Sequence, residues 1–249
     1  KALYIEMPAN PTCDLADIEL LACVAKSYGI SLVVDSTFAT PALLKPLAYG
    51  ARFVVHSATK YLSCGGVNLA GIVVGPAEFL KQLRLNEYLS YGAPLSPFEA
   101  KLCLLGLSTL SLRLKRHSES AYKVATWFRE QKPHVKHIFY PGFSDSPAQN
   151  ILAHTYLPSG GGGVLSIEFD WDETICERFV EALKIFSIAV NLGDSKSLVI
   201  HPASTTHSKI DKNSLEKSGI SPSLVRFSVG LEDADDLIND LKLALLAAP

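Results

Sequence analysis

Short apolar runs punctuate the first third of the chain. Residues 2–6 (ALYIE), 31–35 (SLVVD), 52–56 (RFVVH) and 70–74 (AGIVV) have strand length, and Pro, Gly or polar residues bound them. Between the first two, Leu15, Ile18, Leu21, Ala22 and Ala25 recur at helical spacing, with Asp14 as the expected cap and Gly29 as the stop. Strand, helix and strand in near-continuous apolar runs predict a sheet buried on both faces, and hence an α/β fold.

The pattern changes after Pro97. A helical periodicity runs over 97–131 with Gly106 as its one strong breaker, long enough to bend or to link two domains. Strands are expected at 135–140, 164–170 and 224–229, and helices at 173–186 and 234–247. That order suits a smaller α+β domain with helices on one sheet face. The expected division is 1–111 for the larger domain and 112–249 for the carboxyl-terminal one. Gly160 to Gly163 read as a loop entering a strand rather than as a phosphate loop.

Composition narrows the class. Apolar residues make up 48% of the 249 and charged residues 19%, which points to a large core rather than disorder. A net charge of −2 leaves no electrostatic footprint for nucleic acid. No apolar run reaches membrane-spanning length, and residues 1–8 lack the order of a signal peptide, so a cytoplasmic protein is expected. Cys13, Cys23, Cys64, Cys103 and Cys176 are odd in number and form no CxxC pair, which reads as reduced thiols rather than disulfides or a metal site. His201 and His207 lack the spacing of a ligand cluster, and His117, beside Arg113 and Arg116, reads as part of a solvated face or a subunit contact.

Candidate chemistry gathers at two strand ends. Asp35 closes one apolar run, and Ser57, Thr59 and Lys60 follow another, where open α/β sheets bind ligands. Taken singly, Asp35 could cap a loop and Lys60 could be a solvated lysine. Taken together, a desolvated amine, a carboxylate and two hydroxyls are what an aldehyde cofactor with a pyridine ring and a phosphate requires.

The segments VVDSTFATP and VVHSATKYL resemble the pyridoxal-phosphate enzymes of cysteine and methionine metabolism, a branch of the aspartate-aminotransferase-like fold type I enzymes. EMPANPT, PLSPFEA, HPASTTHS and LVRFSVGLED extend the likeness along the chain. The resemblance implies pyridoxal 5'-phosphate bound covalently to Lys60, with Asp35 on the ring nitrogen, Ser57 and Thr59 on the phosphate and Asn10 on the ring hydroxyl. It implies that Arg226 clamps the substrate carboxylate and that Asn191 also meets substrate. NLGDSKSLVIHPASTTHS and YLPSGGGGVLS are most similar to the O-acetylhomoserine sulfhydrylases. The implied reaction is γ-replacement on an O-acylhomoserine with sulfide or a thiol, in a homo-oligomer. Cystathionine γ-synthase or methionine γ-lyase chemistry, and an inactive assembly domain, are the alternatives. Family members are longer, and the chain is expected to be the carboxyl-terminal portion of such an enzyme.

Overall fold

The computed structural model describes residues 1–63, 65–92, 94–131, 134–205 and 221–248. Cys64 and His207 lie outside the described residues, as does the end of the HPASTTHS motif.

Two sheets carry the chain. In the first, β1 (Ala2–Glu6), β2 (Ser31–Asp35) and β3 (Phe53–Ser57) are parallel, and β4 (Gly71–Val74) joins β3 antiparallel. α1 (Ile18–Ser27) crosses from β1 to β2. Its cap is Asp17, whose carboxylate accepts from Leu20 N at 3.0 Å, and Asp14 is engaged instead by the Thr12 hydroxyl. Gly29 follows the helix at φ +63°, where it needs no Cβ. α2 (Thr40–Leu43), α3 (Ala77–Leu85) and α4 (Glu87–Tyr91) are short helices that the apolar pattern does not announce.

Leu3, Ile5, Leu32 and Val34 point to one face of the first sheet and pack on Ile18 and Ala25. Ala153 and Tyr156, from α6 (Pro147–Tyr156), complete that core. The opposite face is open, with Tyr4 56% and Val73 44% exposed. Its helical cover among the described residues includes α3, whose Phe79 meets Phe53 at 4.7 Å.

α5 (Pro97–Glu130) is a single helix of 34 residues. Ser96 caps it reciprocally with Glu99, and Pro97 occupies the first turn, where its missing N–H has no cost. His117 is fully buried, which corrects its reading as a solvated residue. It falls on the stripe of Leu110, Leu114, Ala121 and Val124, at offsets of three and four residues, and so turns inward with them.

The second sheet comprises β5 (Val135–Phe139), β6 (Val164–Phe169), β7 (Ser187–Ile188), β8 (Leu198–Ile200) and β9 (Leu224–Ser228), in the order β5-β6-β9-β8-β7. It is antiparallel except between β7 and β8. Every residue of β6 and β9 is buried. Val124 and Phe128 of α5, Phe179 of α7 (Glu173–Ala182) and Leu237 and Leu241 of α8 (Ala234–Ala247) fill the core beside them. The helix expected over 173–186 ends at Ala182. The four described cysteines are free thiols, with Cys13, Cys103 and Cys176 buried and Cys23 exposed. No helix among the described residues is long and apolar enough to cross a membrane.

Candidate active site

Parallel strands bring their carboxyl ends to one side of the first sheet. Asp35 ends β2 and Ser57 ends β3, and alternation along the paired strands puts both on the open face. The Asp35 carboxylate is held on both oxygens. Oδ1 accepts from Thr37 N at 3.0 Å and from Thr37 Oγ1 at 2.6 Å, while Oδ2 accepts from the Tyr4 hydroxyl at 3.0 Å. Thr37 Oγ1 in turn accepts from Ser57 N at 2.8 Å, so one threonine ties the two strand ends together.

Beyond β3 the chain tightens into a turn, with Lys60 N donating to Ser57 O at 3.2 Å. The Thr59 hydroxyl folds onto Ala70, accepting from its N–H at 3.1 Å and lying 3.4 Å from its carbonyl. It shares no hydrogen bond with the other expected site residues. Lys60 Nζ donates directly to Asn191 Oδ1. Arg226, on β9, donates from Nη1 to Asn10 Oδ1 at 2.9 Å and from Nη2 to the Asn191 carbonyl at 3.0 Å. Asn10, Lys60, Asn191 and Arg226 thus form one connected cluster. Asp35 and Ser57 form a second, joined through Thr37.

Several supports carry no signal in the sequence pattern. Ser166 of β6 donates to the Pro11 carbonyl at 2.7 Å and pins the loop that carries Asn10. Gly65 and Gly66, at φ +82° and +66°, lie against the loop of Asn191 to Asp194. A Cβ on Gly65 would overlap Asp194 Cα, and one on Gly66 would sit 2.9 Å from Asn191 Nδ2. Gly193 completes the contact, because a Cβ there would come within 3.2 Å of Lys60 Cβ. Close backbone approach is thus what holds Asn191 beside Lys60.

The electrostatics follow from burial. Arg226 is 5% exposed, and no ion pair among the described residues reaches it or Lys60. Burial lowers the guanidinium's proton affinity, and burial followed by the Arg226 charge lowers that of the Lys60 amine. Two desolvated cations without a carboxylate are costly alone and favour an anionic ligand. Burial pushes the nearby Cys13 thiol up to about 12, so it stays protonated and serves as core. Glu173, Glu177 and His201 approach within 4.8 Å of one another. Both His201 nitrogens are already engaged, with Ser204 Oγ at 2.8 Å and the Pro222 carbonyl at 2.6 Å, so no metal site is assigned there.

Parallel strands that end in a clamped carboxylate and in a turn carrying a lysine, with a buried arginine bonded beside that lysine, fit the pyridoxal-phosphate fold type I class. A family model described as Cys/Met metabolism PLP-dependent enzyme matches residues 1–246, and the chain belongs to that family. It is 45% identical over its whole length to L-methionine gamma-lyase from Pseudomonas putida, covering 62% of that protein. It is 40% identical to O-succinylhomoserine sulfhydrylase from Pseudomonas aeruginosa, over 99% of this chain and 60% of that one. A crystal structure of cystathionine gamma synthase from Xanthomonas oryzae superposes with a TM-score of 0.93 at 38% identity, covering all of this chain and 63% of the other. The chain spans about three fifths of the length of these relatives.

The residues present fit the family's cofactor. Lys60 offers an amine of lowered basicity, and Asp35 keeps an acceptor position on Oδ2 beyond the one Tyr4 uses. When bound, pyridoxal phosphate supplies an aldehyde for a lysine and a ring that accepts electron density from the substrate.

Proposed function

We propose that this chain carries the lysine half of a cytoplasmic, homo-oligomeric enzyme that performs γ-replacement on an O-acylhomoserine. The favoured reaction is O-acetylhomoserine plus sulfide giving homocysteine plus acetate. The observation that carries the reading is the cluster in which Lys60 and Arg226 both bond to Asn191. An amine that can take a proton from the substrate α carbon stands beside a guanidinium free to grip the α-carboxylate through two parallel hydrogen bonds. Asn191 links the two groups and fixes the orientation of the amino acid between them. Asn10 orients Arg226 and meets the cofactor's ring hydroxyl. Asp35 holds the ring-nitrogen proton, and Ser57 and Thr59 donate to the phosphate. For Thr59 a phosphate oxygen replaces the long 3.4 Å contact to Ala70. Phe98, Leu105 and Leu112, exposed at seven-residue spacing on α5, support association with further chain.

The test is chemical. Borohydride reduction of the protein with pyridoxal phosphate, followed by peptide mapping, is expected to label Lys60, and label elsewhere would defeat the reading. A second reading, γ-elimination, is favoured by the 45% identity to a methionine gamma-lyase. Incubation with O-acetylhomoserine separates the two. Sulfide-dependent homocysteine supports replacement, and rapid keto-acid release without sulfide supports elimination.

A further inference from the structure

We propose that Tyr4 is a positioning residue that fixes the orientation of the Asp35 carboxylate. This rests on the cofactor role proposed for Asp35. The register pairs Tyr4 with Val33, so Asp35, two residues further along β2, is its diagonal neighbour on the same face. Diagonal neighbours in a sheet come within reach when one side chain is as long as tyrosine. The hydroxyl spans the gap and donates to Oδ2 at 3.0 Å, opposite the two Thr37 donors on Oδ1. Three donors on two oxygens stop the carboxylate rotating and occupy three of its roughly four acceptor positions. The remaining position is on Oδ2, the oxygen that Tyr4 holds.

Among the described residues, the specific contact of the Tyr4 side chain is this hydrogen bond. Burial of the hydroxyl, then the Asp35 charge, push the phenol up to about 12, so it remains a donor through the neutral range. Without Tyr4, Oδ2 loses the donor that fixes it, and the Asp35 carboxylate is free to turn out of line with a ring nitrogen it would pair with. A bound ring would then be held less firmly by its carboxylate partner and would draw electrons less strongly.

The experiment compares wild type, Tyr4→Phe, Lys60→Ala and the exposed control Tyr28→Phe, each with pyridoxal phosphate bound. Tyr4→Phe is expected to keep the visible band of the lysine-bound cofactor but to raise the pH midpoint of that band by about half a unit. Its kcat should fall about tenfold with KM changed less than about threefold, the signature of a group acting on the reacting state rather than on binding. Tyr28→Phe should match wild type. A Tyr4→Phe pH profile identical to wild type overturns the proposal. In the cofactor-free protein, Asp35→Asn should lower the pH at which the Tyr4 phenolate appears, and an unmoved titration also overturns it. If wild type forms no band that Lys60→Ala abolishes, the cofactor reading fails and takes the catalytic role of Tyr4 with it. The phenol titration would show whether the Tyr4–Asp35 coupling survives that failure.

Discussion

Arg226 and Asn10 lie 216 residues apart in the chain, and Nη1 of the arginine donates to Oδ1 of the asparagine across 2.9 Å. The bond joins β9 of the second sheet to the loop that leaves β1 of the first. Neither asparagine neighbour of Arg226 is charged, so the guanidinium is oriented without being neutralised. Arg226→Met is therefore expected to separate stability from function. The lost hydrogen bonds and the relieved desolvation of a buried charge offset each other, so the melting temperature should move by only a few degrees. KM for the amino-acid substrate should rise about 100-fold, or about 2.7 kcal/mol, as a charge-assisted double hydrogen bond disappears. Thermal melts and steady-state kinetics on one preparation check both halves, and an unchanged KM would remove Arg226 from the substrate site.

Three glycines at positive φ meet different surroundings, which makes them a graded test. Gly29 has φ +63° and open space, so Gly29→Ala should cost about 1 kcal/mol, the left-handed penalty alone. Gly65→Ala adds overlap with the Asp194 backbone, which cannot swing aside, and should cost about 3 kcal/mol or more. Gly66→Ala presses on the movable Asn191 amide, so its stability loss should fall between the two while activity drops about tenfold through the displaced Lys60 contact. Urea midpoints and turnover for the three variants test this order.

The strands and the residues at their ends were legible because both signals are local. Apolar runs locate β1, β2 and β3 to within a residue, and Asp35, Ser57 and Lys60 follow from where those runs stop. Tyr4 and Thr37 carry no local signal, because their hydrogen bonds run along a diagonal across paired strands and through a turn that crosses from one strand to the next. The packing of Gly65 and Gly66 on Asn191 to Asp194 depends on tertiary approach that no spacing encodes. His117 was misread for another reason. Its polar neighbours in sequence suggested solvent, whereas its position relative to Leu110, Leu114 and Ala121 already put it on the buried stripe. Residue type outweighed periodicity there, and periodicity was the better guide.

Lys60 gives the cofactor-free protein a characteristic pH response. Its pKa is lowered by burial and then by Arg226, so between the folded value and the usual value of 10.5 the unfolded chain binds more protons than the native one. Stability then rises with pH across that window, and below it the half-buried ammonium is a standing destabilisation. Lys60→Met is expected to be more stable than wild type at pH 7, with the advantage shrinking as pH climbs toward 10.5. Chemical denaturation at neutral and alkaline pH measures the two curves, and an advantage that grew with pH would contradict the assignment.

Acid should act through His117. Its ring is fully buried against Tyr61, with centroids 5.1 Å apart, and Nδ1 lies 2.7 Å from the Val229 carbonyl. Burial lowers its pKa most, the Val229 carbonyl opposes that, and the Arg113 charge reinforces it. The native state therefore holds the imidazole neutral while the unfolded chain protonates near the usual 6.5. As pH falls below 6.5 the unfolded state gains protons first, and stability declines until the folded pKa is passed. His117→Asn keeps an amide that can donate to Val229 but cannot titrate. It should be less stable than wild type at pH 8, because the ring contact with Tyr61 is lost, yet its melting temperature should fall less between pH 7 and pH 5. His56, also buried with a lowered pKa, supplies the acid sensitivity that remains in the variant. A His117→Asn slope equal to that of wild type would show that the buried imidazole is not the group acid attacks.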